Sequence, residues 1–134
     1  MSMDRDRETF ELSITPRMLV GLRNVLLEAI TDLIYTDSGE LEDLARRAFA
    51  YMTKVIRDPR SAPEQTSALS IRVASVDDND LVLEATRELF GVLAKAVNHV
   101  QASLLEFEIP IRIKLELVEL VGLGRMLEEY ASTE

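Results

Sequence analysis

The acidic segment at residues 77–88 holds the residue types that most resemble a cation site. Asp80 and Glu84 lie four residues apart, and Arg87 and the single histidine, His99, follow them along the chain. Carboxylate oxygens are the ligands that Mg²⁺ and Ca²⁺ prefer, and a histidine can serve as a base or a ligand. We therefore predict Asp80, Glu84, Arg87 and His99 as a ligand- or metal-binding set. Acidic residues at a helix start and a histidine near its end also suit the helix dipole without any ligand.

Motifs for covalent or cofactor chemistry are absent from the sequence. There is no cysteine, which excludes thiolate nucleophiles and Cys-ligated metals, and one histidine cannot form a multi-histidine site. No G-x-S-x-G nucleophile elbow occurs. Gly122-Leu123-Gly124 lacks the third glycine of a dinucleotide fingerprint and predicts instead a break between a strand and a helix. The sequence therefore predicts no cofactor and favours a protein without catalytic activity.

The segment Phe107–Leu117 alternates apolar and polar residues almost perfectly, which is typical of a half-buried strand. On its polar side, acidic residues precede Pro110 and basic residues follow it. If this strand paired antiparallel with its own copy about a two-fold axis near Pro110, each charge would face its opposite. The sequence thus predicts a homodimer interface formed by Glu106, Glu108, Pro110, Arg112 and Lys114.

Apolar periodicity along the whole chain predicts the element order β-α-α-β-α-β-α. Strands are expected at Thr9–Ile14, Leu69–Val73 and Phe107–Leu117, and helices at about residues 16–35, 40–58, 77–100 and 125–131. Thr15 and Pro16 suit the N-cap and the first position of the first helix. We expect an α+β fold in which a small, mainly antiparallel three-stranded sheet packs against helices.

The balance of charge restricts the partners. The 134-residue chain has a net charge of −9, and residues 61–134 alone carry 6 basic and 13 acidic side chains. Such a surface repels a phosphate backbone, so we expect no nucleic-acid partner. Its acidity fits solubility and also the steering of a basic protein partner. No apolar run approaches the roughly 20 residues of a membrane span, and the charged start does not resemble a secretory signal, so we expect a cytoplasmic protein without membrane contact.

Length and composition predict a single domain, residues 1–134, with a flexible N-terminus at residues 1–7 and a loop at residues 58–68. Taken with the motifs, this favours an acidic, non-catalytic protein-binding or assembly module that acts as a homo-oligomer. The alternative is a small-molecule- or metal-binding protein, or a small enzyme, that uses carboxylates and arginines.

Residues 39–90 resemble part of one known family. The shared pattern is the acidic helix start Leu41-Glu42-Asp43-Leu44, the pair Asp58-Pro59, a short strand, and the run Leu81–Phe90 after an acidic turn. In this pattern the segment resembles the archease family, whose members are metal-dependent helpers of RNA ligation. The family's N-terminal Asp-His metal motif has no counterpart in Phe10–Leu19. The resemblance therefore implies no function for this chain.

Overall fold

The computed structural model describes residues 9–32, 34–35, 39–58, 71–76 and 80–132. The elements run in the order β1 (Thr9–Ile14), α1 (Pro16–Thr31), α2 (Gly39–Arg57), β2 (Ile71–Val76), β3 (Leu81–Thr86), α3 (Arg87–Ser103), α4 (Glu108–Arg112) and α5 (Leu117–Ser132). The predicted flexible segment 1–7 and all but the first residue of the predicted loop 58–68 lie outside the described residues.

The fold is α+β in general and mostly helical, but the predicted order β-α-α-β-α-β-α is wrong. One error concerns Leu81–Thr86, which was predicted as the first part of a helix and forms the strand β3 instead. Its side chains alternate between buried and half-buried positions, as period-two packing on a sheet requires. The helix α3 begins only at Arg87, where the Thr86 hydroxyl accepts a hydrogen bond from the Leu89 N–H at 3.3 Å.

The second error concerns the predicted strand Phe107–Leu117, which folds as the short helix α4, a turn and the start of α5. Pro110 explains this outcome. It is the third residue of α4, a position whose N–H has no partner within the helix, so proline loses nothing there. In a strand the same proline would interrupt the hydrogen-bonded ladder. The two-fold strand pairing predicted for residues 106–114 loses its basis because the strand does not exist.

The predicted break at Gly122-Leu123-Gly124 is also wrong, because α5 continues through both glycines. At Gly124, α5 packs closely on α3: a Cβ added there would lie 2.8 Å from Val97 Cγ1. At Gly122 no described residue has an atom within 4 Å of such a Cβ. One glycine therefore permits close helix packing, and the other faces open space.

The sheet is antiparallel, with the order β1-β3-β2, so β3 is the central strand. Helices cover the face that bears the buried side chains, namely Leu12, Ile14, Val73, Leu81, Leu83 and Ala85. A register shift interrupts β2 between Val73 and Ser75. There the Val73 N–H donates to the Tyr51 hydroxyl of α2 at 2.7 Å, which ties the strand to the helical layer.

The helix α1 begins as the sequence predicts, with Thr15 as the N-cap and Pro16 as the first residue. The Thr15 hydroxyl accepts from the Met18 N–H at 3.1 Å. Along its length α1 packs on α2, on α3 and on the segment that joins α4 to α5. Gly21 lies directly against the Leu115 side chain, and any larger residue at this position would displace that leucine.

Candidate interaction surface

The four residues predicted as a ligand- or metal-binding set lie far apart. Asp80 precedes β3 and Glu84 is in its middle, so about 13 Å of extended chain separates them. Arg87 and His99 are near opposite ends of α3, about 18 Å apart along the helix. Among the described residues, no group of three or more histidine, aspartate or glutamate side chains could hold a metal ion. The structure does not bring this set together.

Glu84 lies in the strand β3, and Arg87 lies at the start of α3. Glu84 is in register with Glu11 on β1 and with Arg72 on β2, in a row across the middle of the sheet. The Arg87 guanidinium carbon lies 5.9 Å from the centre of the Phe10 ring, a cation–π distance. Within the part of the chain that is described, its buried Nε and Nη2 atoms have no hydrogen-bond partner.

His99 forms a contact that joins the ends of two helices. Its Nε2 atom lies 2.7 Å from Oδ2 of Asp32, the residue that follows α1. The Ser103 hydroxyl lies 3.4 Å from each of the two ring nitrogens. In a Ser-His-Asp triad the serine and the carboxylate bind opposite nitrogens, whereas here the serine oxygen is directed at neither one. The arrangement therefore supports a structural link rather than an activated nucleophile.

Exposed apolar side chains gather on α4 and the loop before it. Leu105 is 60% exposed, Phe107 67% and Ile111 64%. We call these three residues the α4 patch. On the opposite side of the helix, Ile109 and Ile113 are completely buried. The alternating sequence explains why α4 has apolar side chains on two opposite sides. Each residue of a helix is rotated by about 100° from the one before it, so residues two apart point in nearly opposite directions. Winding this pattern into a helix leaves Phe107 and Ile111 in solvent and turns Ile109 and Ile113 into the core.

Four polar contacts hold α4 in place: two join it to α1, and two lie within its own segment. The Asn24 amide donates to the Ile113 carbonyl at 2.9 Å, which satisfies one of the free carbonyls at the end of α4. Arg112 lies 3.6 Å from both Glu28 of α1 and Glu108 of its own helix. At the start of the helix, the Glu108 carboxylate accepts from the Leu105 N–H at 2.9 Å. The α4 patch is thus presented on a helix whose two ends are held in place.

The predicted interface residues occupy the rim of this patch. Glu106 is exposed just before α4, and Lys114 is exposed just after it. Lys114 has a φ of 72°, the left-handed conformation that ends many helices. Pro110 is half-buried, and Glu108 and Arg112 form the ion pair within the helix. The structure therefore keeps the acidic residues at one end of the segment and Lys114 at the other.

A wide groove runs between α3 and α5, with a volume of about 560 Å³. Its lining combines small apolar residues with a few polar ones, namely Gly91, Ala94, Lys95, Asn98, Glu128 and Ala131. The Asn98 amide donates to the Glu128 carboxylate across the groove at 2.9 Å. Asn98 and Glu128 therefore already bind each other, and Lys95 lies 5.7 Å from the centre of the Tyr35 ring.

Sequence reasoning missed both the α4 patch and the contact between Asp32 and His99. The patch was hidden because strict alternation was interpreted as a strand, in which all six apolar residues would share one covered face. Pro110 in the middle of the run was the signal that favoured a helix start. The Asp32–His99 contact spans 67 residues and carries no local signal.

Comparisons with known proteins give no family for this chain. No protein-family model matches it, and no curated protein and no solved structure matches it either. The likeness of residues 39–90 to archease therefore gains no support. No helix in the described ranges is long and apolar enough to cross a membrane.

Proposed function

We propose that this protein is a non-catalytic, acidic assembly module that acts as a homo-oligomer and binds through the α4 patch. The observation that carries the proposal is the exposure of three large apolar side chains on α4 and the loop that precedes it. Leu105, Phe107 and Ile111 are each about two-thirds exposed. A contiguous apolar surface with a polar rim is typical of a protein–protein interaction site, and aromatic residues dominate the energy of such sites.

The α4 patch is also well suited to binding because the helix beneath it is anchored to the rest of the chain. Ile109 and Ile113 anchor the inner side of α4 in the core, and Asn24 holds its carboxyl end. A surface that is already ordered loses little conformational entropy when it binds, so more of the contact energy contributes to affinity. A mobile loop with the same side chains would bind more weakly.

The net charge of the chain supports the expectation that the protein is soluble and does not bind nucleic acid. A net charge of −9 opposes binding to nucleic acid and keeps the protein soluble while it exposes apolar side chains. A cytoplasmic location is part of the proposal and is compatible with the absence of cysteine. The alternative of a ligand or metal site is not carried forward, since Asp80, Glu84, Arg87 and His99 are dispersed.

The proposal is tested by the oligomeric state of the purified protein and of a patch variant. Sedimentation velocity over a wide concentration range, together with native mass spectrometry, should show the wild-type chain to be a reversible oligomer. The double variant Phe107→Ser/Ile111→Ser should be monomeric at every concentration. Both side chains are exposed, so we expect its far-UV circular dichroism spectrum to match that of the wild type.

Val118→Ser is the matched control, because Val118 is 78% exposed on α5 and lies outside the α4 patch. It should leave the assembly unchanged. A wild-type chain that stays monomeric at all concentrations would refute the proposed homo-oligomer. Assembly that persists in the double variant, or is lost equally in Val118→Ser, would show that the α4 patch is not the binding surface.

A further inference from the structure

We infer that the occupant of the α4 patch is the same helix of a second copy, packed antiparallel about a two-fold axis close to Pro110. In this contact Phe107 of each copy lies against the partner's Ile111, and Glu106 lies beside the partner's Lys114. The inference rests on the proposed function and specifies the geometry of its interface. It differs from the strand pairing predicted from the sequence, since two helices meet through their apolar faces.

The shape of the α4 segment allows this arrangement. The backbone is helical from Phe107, with φ −73° and ψ −20°, to Ile113, with φ −92° and ψ −28°. Phe107 and Ile111 are four residues apart, so they form one ridge on the outer face. A two-fold axis between them exchanges their positions, and each copy then offers the other the same ridge. Such self-complementarity is what an isologous contact needs.

The charges at the two ends of the segment favour the antiparallel direction. Glu106 is exposed at the start, and Lys114 is exposed at the end. Antiparallel packing places each Glu106 near the partner's Lys114, whereas parallel packing would place it near the partner's Glu106. Glu108 and Arg112 already pair within the chain, so they add little to either direction. The charges at the rim of the α4 patch therefore favour antiparallel packing of the two α4 helices over parallel packing.

A second copy fits this rim better than a basic protein does. Lys114 borders the patch, and its charge would repel a basic partner at that end. A second copy meets this lysine with its own acidic end. Local attraction of this kind is needed, because two chains that each carry a net charge of −9 repel each other as whole molecules.

The size of the α4 patch determines how tightly we expect the dimer to bind. A large aromatic side chain buries only about 150–250 Å². Three partly exposed side chains therefore cover only part of the roughly 800 Å² per partner that a standard interface buries. We expect a reversible dimer with a dissociation constant on the order of micromolar or weaker. Its detection requires measurements at high protein concentration.

Exchange of the two rim charges tests the inference. Glu106→Lys and Lys114→Glu should each weaken the dimer about tenfold, because each creates two like-charged contacts across the axis. The double variant Glu106→Lys/Lys114→Glu should restore wild-type dimerisation. Glutamate and lysine are both unbranched at Cβ, so the backbone strain at the left-handed position 114 is the same for either residue.

Two other outcomes are distinguishable. If neither single variant weakens the dimer, or if the double variant fails to restore it, the antiparallel contact is overturned. The proposed function would still stand if Phe107→Ser/Ile111→Ser abolished assembly. If the wild-type chain forms no oligomer, both proposals fail together.

A disulfide trap provides a second measurement, since the chain has no cysteine of its own. Glu106→Cys and Lys114→Cys are prepared separately and mixed under mild oxidation. The antiparallel contact predicts that the mixed 106–114 disulfide forms in excess over either symmetric one, as identified by peptide mass mapping. An excess of the symmetric disulfides would overturn the assigned direction, because cysteines that cross-link must lie within about 7 Å between their Cα atoms.

Discussion

At the scale of single residues, Tyr35 shows how one polar group can join the turn after α1 to α3 inside the core. Its side chain is almost fully buried, and its hydroxyl donates to the Val92 carbonyl of α3 at 2.8 Å. Burial raises the pKa of the Tyr35 phenol well above its ordinary value, because a phenolate would lose its hydration and face a carbonyl oxygen. Lys95 lies 5.7 Å from the ring centre and adds a cation–π contact.

This raised pKa predicts a loss of stability in alkali. In the unfolded chain Tyr35 ionises at about pH 10, whereas in the folded chain it keeps its proton. The native state therefore binds one more proton than the unfolded state above about pH 10. Its free energy of unfolding should fall there by up to about 1.4 kcal/mol per pH unit from this residue. Below pH 10 the contribution of Tyr35 is fully present and does not change with pH.

Tyr35→Phe tests this expectation in urea titrations from neutral to alkaline pH. The variant should be about 1 kcal/mol less stable at neutral pH because it lacks the hydrogen bond to Val92. Its stability should then fall less steeply than that of the wild type above about pH 10. Tyr130→Phe, which removes a hydroxyl bonded to the Glu11 carbonyl, controls at neutral pH for the loss of a phenol–carbonyl hydrogen bond. Equal alkaline slopes in Tyr35→Phe and the wild type would contradict the assignment.

At the scale of elements, substitutions at the two glycines of α5 distinguish the effect of helix propensity on stability from the effect of helix packing. Both lie inside a continuous helix, where glycine costs roughly 0.5–1 kcal/mol relative to alanine. Gly122→Ala should therefore raise the free energy of unfolding by about that amount, since the new Cβ meets open space. Gly124→Ala should lower it by about 1–3 kcal/mol, because the buried, branched Val97 side chain must move.

Chemical denaturation of the two variants and the wild type is sufficient to check this pair. Because the substitution and the helix are the same, the difference between the variants isolates the contact of α5 with α3. Two variants of equal stability would show that α3 and α5 do not approach as closely at Gly124 as the structure has them.

The elements also show what the sequence could and could not reveal. Thr15 and Pro16 mark the start of α1 by local chemistry, and the structure confirms that start. The segments Leu81–Thr86 and Phe107–Leu117 were both assigned wrongly, because each has a pattern that two structures can use. Leu81–Thr86 is apolar enough for a buried helix, and only its position between β1 and β2 makes it the central strand. In Phe107–Leu117 the alternation dominated the prediction, although Pro110 pointed the other way.

At the scale of the whole molecule, the same ambiguity limited the prediction of the site. Asp80 and Glu84 were grouped on the assumption that residues 80–88 form a helix, and the strand β3 separates them. The interface residues at positions 106–114 were predicted from the pairing of two strands. That reason fails, because this segment forms a helix and a turn. These residues still lie beside Phe107 and Ile111, the apolar side chains that the helical conformation exposes. This exposure depends on the chain's tertiary packing, which buries Ile109 and Ile113 and leaves Phe107 and Ile111 in solvent.

Assembly through the α4 patch predicts a thermal stability that depends on protein concentration. A dimer that forms only from folded chains stabilises the native state by mass action, so the midpoint of thermal unfolding, Tm, should rise with concentration. In Phe107→Ser/Ile111→Ser this dependence should disappear, while Tm at high dilution should stay close to that of the wild type. The reason is that both side chains are exposed in the single chain, and their loss removes contacts only from the assembled form. Differential scanning calorimetry over a dilution series measures both quantities. A double variant that melts earlier than the wild type even at high dilution would show that Phe107 and Ile111 stabilise the chain itself, and that the exposed face is part of its own packing.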